Sequence, residues 1–147
     1  MALSAGDPVY VDSNVVIYVL EDDPQFGPAA RSFLANCADG TYNAFISAAV
    51  CAEVLTGPYR RGDAHAVETA RDLLNNDDLF LVLNHTRKDF EASARLRGQS
   101  GLDFADSLHV ATATNSGCRA LVTNDRKLVS GGVPLVVPLA SLSAGSP

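Results

Sequence analysis

Five short apolar runs of strand length, separated by helical segments, restrict this chain to a narrow set of folds. The runs lie at residues 9–11, 43–46, 79–83, 120–123 and 135–137. The intervening stretches predict helices over 15–20, 28–37, 48–55, 63–74, 88–97 and 106–113, with one helical turn at 126–128. Strands that alternate with helices imply βαβ units and a mainly parallel sheet. Right-handed crossovers place the helices on both faces. The expected architecture is α/β: a three-layer α/β/α sandwich around a short, mainly parallel central sheet. One domain over residues 1–147 is expected, with a core at about 9–137 and a loose tail at 138–147.

Local signals set the boundaries. Ser13 or Asn14 caps the first helix, Ser47 the third, Asp63 the fourth and Thr86 the fifth. Gly57-Pro58 is expected to close the third helix and leave Tyr59-Arg60-Arg61-Gly62 as a basic loop. In the second helix, Ala30, Phe33, Leu34 and Cys37 share one face. Asp103 is the expected N-cap of the helix that carries Asp106.

At 147 residues the chain can bury one good core. Its 47% hydrophobic and 19% charged content excludes a disordered chain. No apolar run approaches ~18 residues, so no membrane span is expected. The first residues lack the basic and apolar regions of a signal peptide. Cys37, Cys51 and Cys118 are odd in number and form no C-x-x-C pair, which fits buried, reduced thiols in a cytoplasmic protein. The net charge of −6 argues against a general nucleic-acid coat. It leaves room for an enzyme acting on nucleic acid, because clustered carboxylates lower the formal charge and bound cations reverse the local field.

Four acids stand at element ends or on otherwise apolar elements. Asp12 follows the first strand, Glu53 sits in the apolar third helix, Asp106 opens the sixth helix and Asp125 follows the fourth strand. Each has a structural explanation when taken singly: a helix cap for Asp12, an exposed helix face for Glu53, the helix dipole for Asp106, an Asn-Asp turn for Asp125. In a parallel sheet, however, Asp12 and Asp125 leave the same edge, where ligands bind. Two unit charges 4 Å apart repel by roughly 4 kcal/mol at an effective dielectric of 20. Four converging carboxylates therefore call for protons or cations, and oxygen ligands select hard ions such as Mg²⁺ or Mn²⁺. Such a site suits phosphodiester hydrolysis.

At these residues the sequence resembles a PIN domain, and most of all a VapC-type toxin. The matching motifs are Val11-Asp12-Ser13-Asn14, Glu53 within 47–55, Ala105-Asp106-Ser107-Leu108-His109-Val110-Ala111-Thr112-Ala113, and Leu121-Val122-Thr123-Asn124-Asp125. The resemblance runs from about residue 9 to 137. It implies Asp12, Glu53, Asp106 and Asp125 as catalytic, metal-binding acids, with Ser13, Thr123 and Asn124 as the polar residues beside them. It further implies a Mg²⁺- or Mn²⁺-dependent ribonuclease, the toxin of a toxin–antitoxin pair, often a homodimer and inhibited by a VapB-type antitoxin. Asp103 departs from the pattern, since similar sequences often carry a basic residue there.

Secondary candidates are weaker. His109 lies one helical turn from Asp106, within reach of a proton-shuttling role, but reads as a packed histidine in an Ala-rich helix. His65 and His85 read as surface residues. Arg60-Arg61, Arg95/Arg97 and Arg126-Lys127 are the basic spots; Arg126 and Lys127, beside Asp125, are the weak candidates for RNA contact. Tyr42 and Tyr59 are candidates for base stacking, with packing as the default. Competing readings are a non-catalytic scaffold that binds RNA or protein, an aspartyl-phosphate phosphatase, and a receiver domain. The phosphatase needs a second Asp where Asn14 stands, and the receiver needs a lysine that Asn124-Asp125 does not supply.

Overall fold

A computed structural model describes residues 3–130 and 136–143. The elements run β1 (Asp7–Val11), α1 (Ser13–Leu20), α2 (Gly27–Ala38), β2 (Tyr42–Ser47), α3 (Ala48–Arg61), α4 (Ala64–Leu74), β3 (Phe80–Leu83), α5 (Arg87–Ser100), α6 (Phe104–Asn115), β4 (Ala120–Thr123), α7 (Arg126–Ser130), β5 (Val136–Pro138) and α8 (Leu139–Ser143). The sheet order is β3-β2-β1-β4-β5, and all four pairings are parallel. From β1 the chain steps outward through β2 to β3, then crosses back to β4 and steps the other way to β5. Right-handed crossovers then put α1–α4 on one face and α5–α6 on the other. The packing of α1 on α2 and α3, of α3 on α4, and of α5 on α6 agrees. The sequence-predicted α/β/α architecture is the one observed.

Position in the sheet explains burial. In the centre, Val9, Tyr10 and Val11 of β1 and every residue of β4 are buried. At the edge, Leu81 and Val82 of β3 stay exposed, so an apolar run does not by itself mark a buried strand. Helices α1 and α2 cover one face through Val15, Val16, Ala30, Phe33, Leu34 and Cys37. Cys37 and Cys118 are buried as expected, while Cys51 is half-buried.

Three expectations about element boundaries fail. Helix α3 passes through Gly57-Pro58 and ends only at Gly62, whose φ of 65° suits glycine. Pro58 forfeits a backbone donor, but it is buried, and Arg60 and Arg61 then fall in the last turn, where the helix dipole favours cations. The basic loop is therefore helix. The residue capping α1 is Asp12 itself, ahead of Ser13 and Asn14. Leu139–Ser143, expected in a loose tail, forms α8 against α2 with Leu139 buried. Leu135 and residues 144–147 lie outside the described residues. Among the described residues, no helix is long and apolar enough to cross a membrane.

The caps at Ser47, Asp63, Thr86 and Asp103 form as expected. Thr86 completes a capping box. Its side chain accepts from the Asp89 amide at 3.3 Å, while Asp89 Oδ2 accepts from the Thr86 amide at 2.9 Å. The other oxygen of Asp89, buried, accepts from Asn115 Nδ2 at 2.8 Å and ties α5 to the end of α6. Asp89→Ala strands both donors and is expected to cost about 2–3 kcal/mol. Urea unfolding with an unchanged m-value checks this; a loss under about 0.5 kcal/mol would show that the capping box is dispensable.

Candidate active site

The reversal of strand order between β1 and β4, which run parallel, opens a crevice at their carboxyl ends, the place where open parallel sheets bind ligands. Asp12 leaves β1 there. Its amide donates to the Val122 carbonyl at 3.0 Å, so the β1–β4 ladder extends to the acid itself. Its Oδ1 accepts from the Ser13 amide at 2.8 Å, and its Oδ2 accepts from Thr123 Oγ1 at 2.7 Å. Only 4% of Asp12 is exposed. Burial raises its pKa, and the His109 charge, Thr123 and Ser13 offset this only in part.

Thr123 and Asn14 form the brace behind this carboxylate. The Thr123 hydroxyl gives its one hydrogen to Asp12 and accepts from Asn14 Nδ2 at 3.1 Å and from the Asp125 amide at 2.9 Å. Asn14 Oδ1 accepts from the Asn124 amide at 3.4 Å, and Asn124 Nδ2 donates to the Tyr18 hydroxyl at 3.1 Å. Asp125, half-buried, accepts from the Lys127 amide at 2.9 Å and so starts α7. Arg126 and Lys127 are exposed beside it.

Asp106 lies in the first turn of α6, its amide bonded to the Asp103 cap at 2.8 Å. Its pKa is raised to about 6, first by burial and then by the charges of Asp103, Asp125 and Asp12. Those repelling neighbours are the electrostatic record of convergence: acids from three separate stretches of chain feel one another. Asp103 acts as the expected cap and also adds its charge to the group.

Glu53 enters from α3. Its Oε1 meets His109 Nε2 at 2.5 Å, and the Ser13 side chain also hydrogen-bonds it. Burial works to raise the Glu53 pKa, but the His109 contact and Ser13 outweigh it, and the net shift is downward. His109 is fully buried, with Nε2 3.9 Å from Asp12 Oδ1 and Nδ1 2.7 Å from the Tyr10 hydroxyl. Burial depresses its pKa, yet Glu53, Asp12 and Asp106 raise it overall. The expectation of a packed histidine is right about burial and incomplete about chemistry, because His109 is the basic partner of two acids. The Asp-x-x-His spacing at 106 and 109 was the available signal. Tyr10 gave none, being one apolar-flanked residue inside a strand.

Side-chain ligand atoms of Asp12, Glu53 and His109 lie within 4.8 Å of one another. With Asp106 and Asp125 adding carboxylates at the rim, the donor set is dominated by oxygen and suits a hard divalent cation. Other candidates lie elsewhere or do other work. His65 is exposed, as expected. His85 is no free surface residue: its Nε2 accepts from the Ala49 amide at 3.0 Å, and its Nδ1 pairs with Thr112 Oγ1 at 2.8 Å. Tyr59 is 55% exposed, with its hydroxyl accepting from Arg71 at 2.9 Å; Tyr42 packs against Phe33. Arg61 faces Glu21 and Arg97 lies over the Phe104 ring.

The PIN domain profile matches residues 9–131, a span that holds all four acids. This chain belongs to the PIN domain family. No curated protein matches it. Its fold is similar to that of a toxin–antitoxin complex from Klebsiella pneumoniae, at 24% identity and a TM-score of 0.71 over 89% of this chain and 97% of that one. VapBC2 from Rickettsia felis, bound to a DNA fragment from its promoter, matches at 19% identity and 0.71, covering 89% and 98%. VapC20 from Mycobacterium tuberculosis, described as a Sarcin-Ricin loop cleaving toxin, matches at 16% and 0.68, covering 86% and 97%.

In this PIN domain the raised pKa of Asp106 has a thermodynamic consequence. Its folded-state value of about 6 exceeds the ordinary 3.8, so the native state holds a proton that the unfolded chain releases. Stability therefore falls as pH rises through that window and stays lowered above it. Asp106→Asn is expected to raise the melting temperature of the metal-free protein by roughly 2–4 °C well above pH 6, and the gain should fade toward pH 3.8. Calorimetric melts across that range check it; a variant no more stable than wild type at high pH would show that the carboxylates do not strain the fold.

Proposed function

We propose that this PIN domain is a Mg²⁺- or Mn²⁺-dependent endoribonuclease, the toxin of a VapBC-type pair, with a VapB-type antitoxin as partner and a homodimer as the working form. The observation that carries the reading is Asp12. It is a buried carboxylate at the sheet's switch point, held by three donor groups (the Ser13 amide, Thr123 and Asn14) and met electrostatically by Glu53 and Asp106. A helix cap alone does not require that convergence. The resemblance in sequence motifs, the PIN family match and the shared fold with toxins of toxin–antitoxin complexes support the biological role.

Asp12 and Asp106 would hold the cation, with Glu53 and Asp125 completing the pocket. A bound divalent ion supplies activation of water and stabilisation of the charged phosphodiester transition state. The chain's own residues supply order. Ser13 and Thr123 fix both oxygens of Asp12, so its carboxylate cannot swing away. His109 and Ser13 keep Glu53 ionised and turned toward Asp12, where it can orient water. Asp125, anchored through Thr123 and the Lys127 amide, holds Arg126 and Lys127 beside the acids, where they would meet an RNA backbone. The exposed acids also repel RNA when no cation is bound, so substrate binding depends on the metal.

With Mn²⁺ or Mg²⁺, purified protein is expected to cleave single-stranded RNA. A chelator should abolish cleavage, and Asp12→Asn and Asp106→Asn should each lower the rate about 10³-fold or more. Mapping the cut ends in cellular RNA after induction would identify the target. Wild-type protein that binds RNA or an antitoxin but never cuts, at any metal concentration, would establish the non-catalytic scaffold instead.

A further inference from the structure

A line of hydrogen bonds runs from the end of β2 through the middle of the molecule to the acid cluster. The Val50 amide donates to Ser47 Oγ at 3.3 Å, Ser47 Oγ pairs with the Tyr10 hydroxyl at 2.5 Å, Tyr10 pairs with His109 Nδ1 at 2.7 Å, and His109 Nε2 meets Glu53 Oε1 at 2.5 Å. Ser47, Tyr10 and His109 are all 0% exposed. Among the described residues, no buried side-chain nitrogen or oxygen lacks a partner, so this is a fully satisfied network and not a hydrophobic core with a stray polar atom. The only half-exposed member is the last one, Glu53.

The chemistry of the ends gives the line a direction. An ionised carboxylate only accepts, so Nε2 carries the hydrogen in the Glu53 pairing. Tyr10 occupies the other ring nitrogen, which fixes the plane of the imidazole. Tyr10 in turn comes from the central strand of the sheet, paired on both sides by β2 and β4, and Ser47 is anchored by a helix amide. One carboxylate oxygen of Glu53 is thereby pinned by a buried donor, and the Ser13 side chain adds a second contact to the carboxylate. A glutamate on a helix surface without such a partner would distribute itself over several rotamers.

We propose that His109 and Tyr10 are positioning residues: the buried Ser47–Tyr10–His109 strut holds Glu53 in the orientation that binds the divalent cation, and His109 is not itself a ligand. The inference rests on the metal-dependent reading above and extends it to three residues outside the acidic set. Outer partners that orient metal-binding side chains typically change affinity by 10–100-fold when removed.

Titration calorimetry with Mn²⁺ alone, on the full chain, tests it. Wild type is expected to bind and Glu53→Gln to bind far more weakly. Tyr10→Phe and His109→Ala should each weaken Mn²⁺ binding roughly tenfold. His109→Gln, whose amide can still donate to Glu53, should recover most of the affinity, and it serves as the folded control if His109→Ala fails to fold. Circular dichroism melts of the metal-free variants separate positioning from stability, because a merely structural role lowers the melting temperature and leaves Mn²⁺ affinity in place. Wild-type affinity in both Tyr10→Phe and His109→Ala, alongside a weakened Glu53→Gln, overturns this inference alone. So does a directly coordinated nitrogen in the pulsed electron spin resonance of the Mn²⁺-loaded protein. No Mn²⁺ uptake by wild type would remove the metal-dependent reading, and the positioning role with it.

Discussion

Asp12 gives its amide to the Val122 carbonyl, and that one rung decides where the site can be. The register it continues pairs Val11 with Val122, so the next residue of β4, Thr123, stands level with Asp12. Side chains of residues 111 positions apart in the chain then meet at 2.7 Å without any loop having to reach. A slip of the β4 register by one residue would turn Thr123 to the other face of the sheet. The acid would lose its hydroxyl donor, and Asn14 and Asp125 would lose their shared acceptor. Burial of all four β4 residues makes such a slip expensive, so the core enforces the geometry of the crevice.

Electrostatics shows what the core does not do. Packing would favour apolar residues at positions 12 and 106, and the raised pKa values of both acids record the strain of having carboxylates there. The fold tolerates them through donors placed one by one: the Ser13 amide and Thr123 at Asp12, His109 and Ser13 at Glu53, the Lys127 amide at Asp125. Of these donors only His109 offsets the charge of Asp106, and only in part, while its helix cap, Asp103, adds repulsion. The least compensated acid thus lies at the rim of the crevice, where an incoming cation would gain most from it.

Much of this was legible in the sequence because the relevant signals are local. Short apolar runs ending in Asp or Asn, small polar caps, and the alternation of periods suffice to expect a parallel sheet with acids at one edge. What was not legible depends on distant partners. Gly57-Pro58 looks like a stop, yet α3 continues because Pro58 is buried and the arginines beyond it suit a helix end. Leu79–Leu83 reads as a strand, yet nothing inside that run states that β3 lies at an edge of the sheet. His109 reads as core because the residue that gives it meaning, Glu53, lies 56 positions away. The tail at Leu139 looks dispensable until α2 is seen beneath it.

His85 and His109 show how two copies of one residue type take opposite roles on the same pair of helices. His85 accepts the Ala49 amide on Nε2, which leaves Nδ1 as the donor to Thr112 and makes the neutral ring the one that fits. Burial lowers its pKa, and the charge of His109 lowers it further. His109 instead faces carboxylates, and these draw its pKa up despite deeper burial. The first ring therefore ties the start of α3 to α6 without adding charge. The second ties the following turn of α3 to α6 and β1 and faces the acids, which raise its pKa. Exchanging the two environments would put an unpaired cation at a helix N-terminus, where the dipole disfavours it, and leave the acid cluster without its basic partner. Two side-chain links thus join α3 to α6, one through a histidine whose accepted amide fits the neutral ring and one through a histidine whose pKa the acids raise.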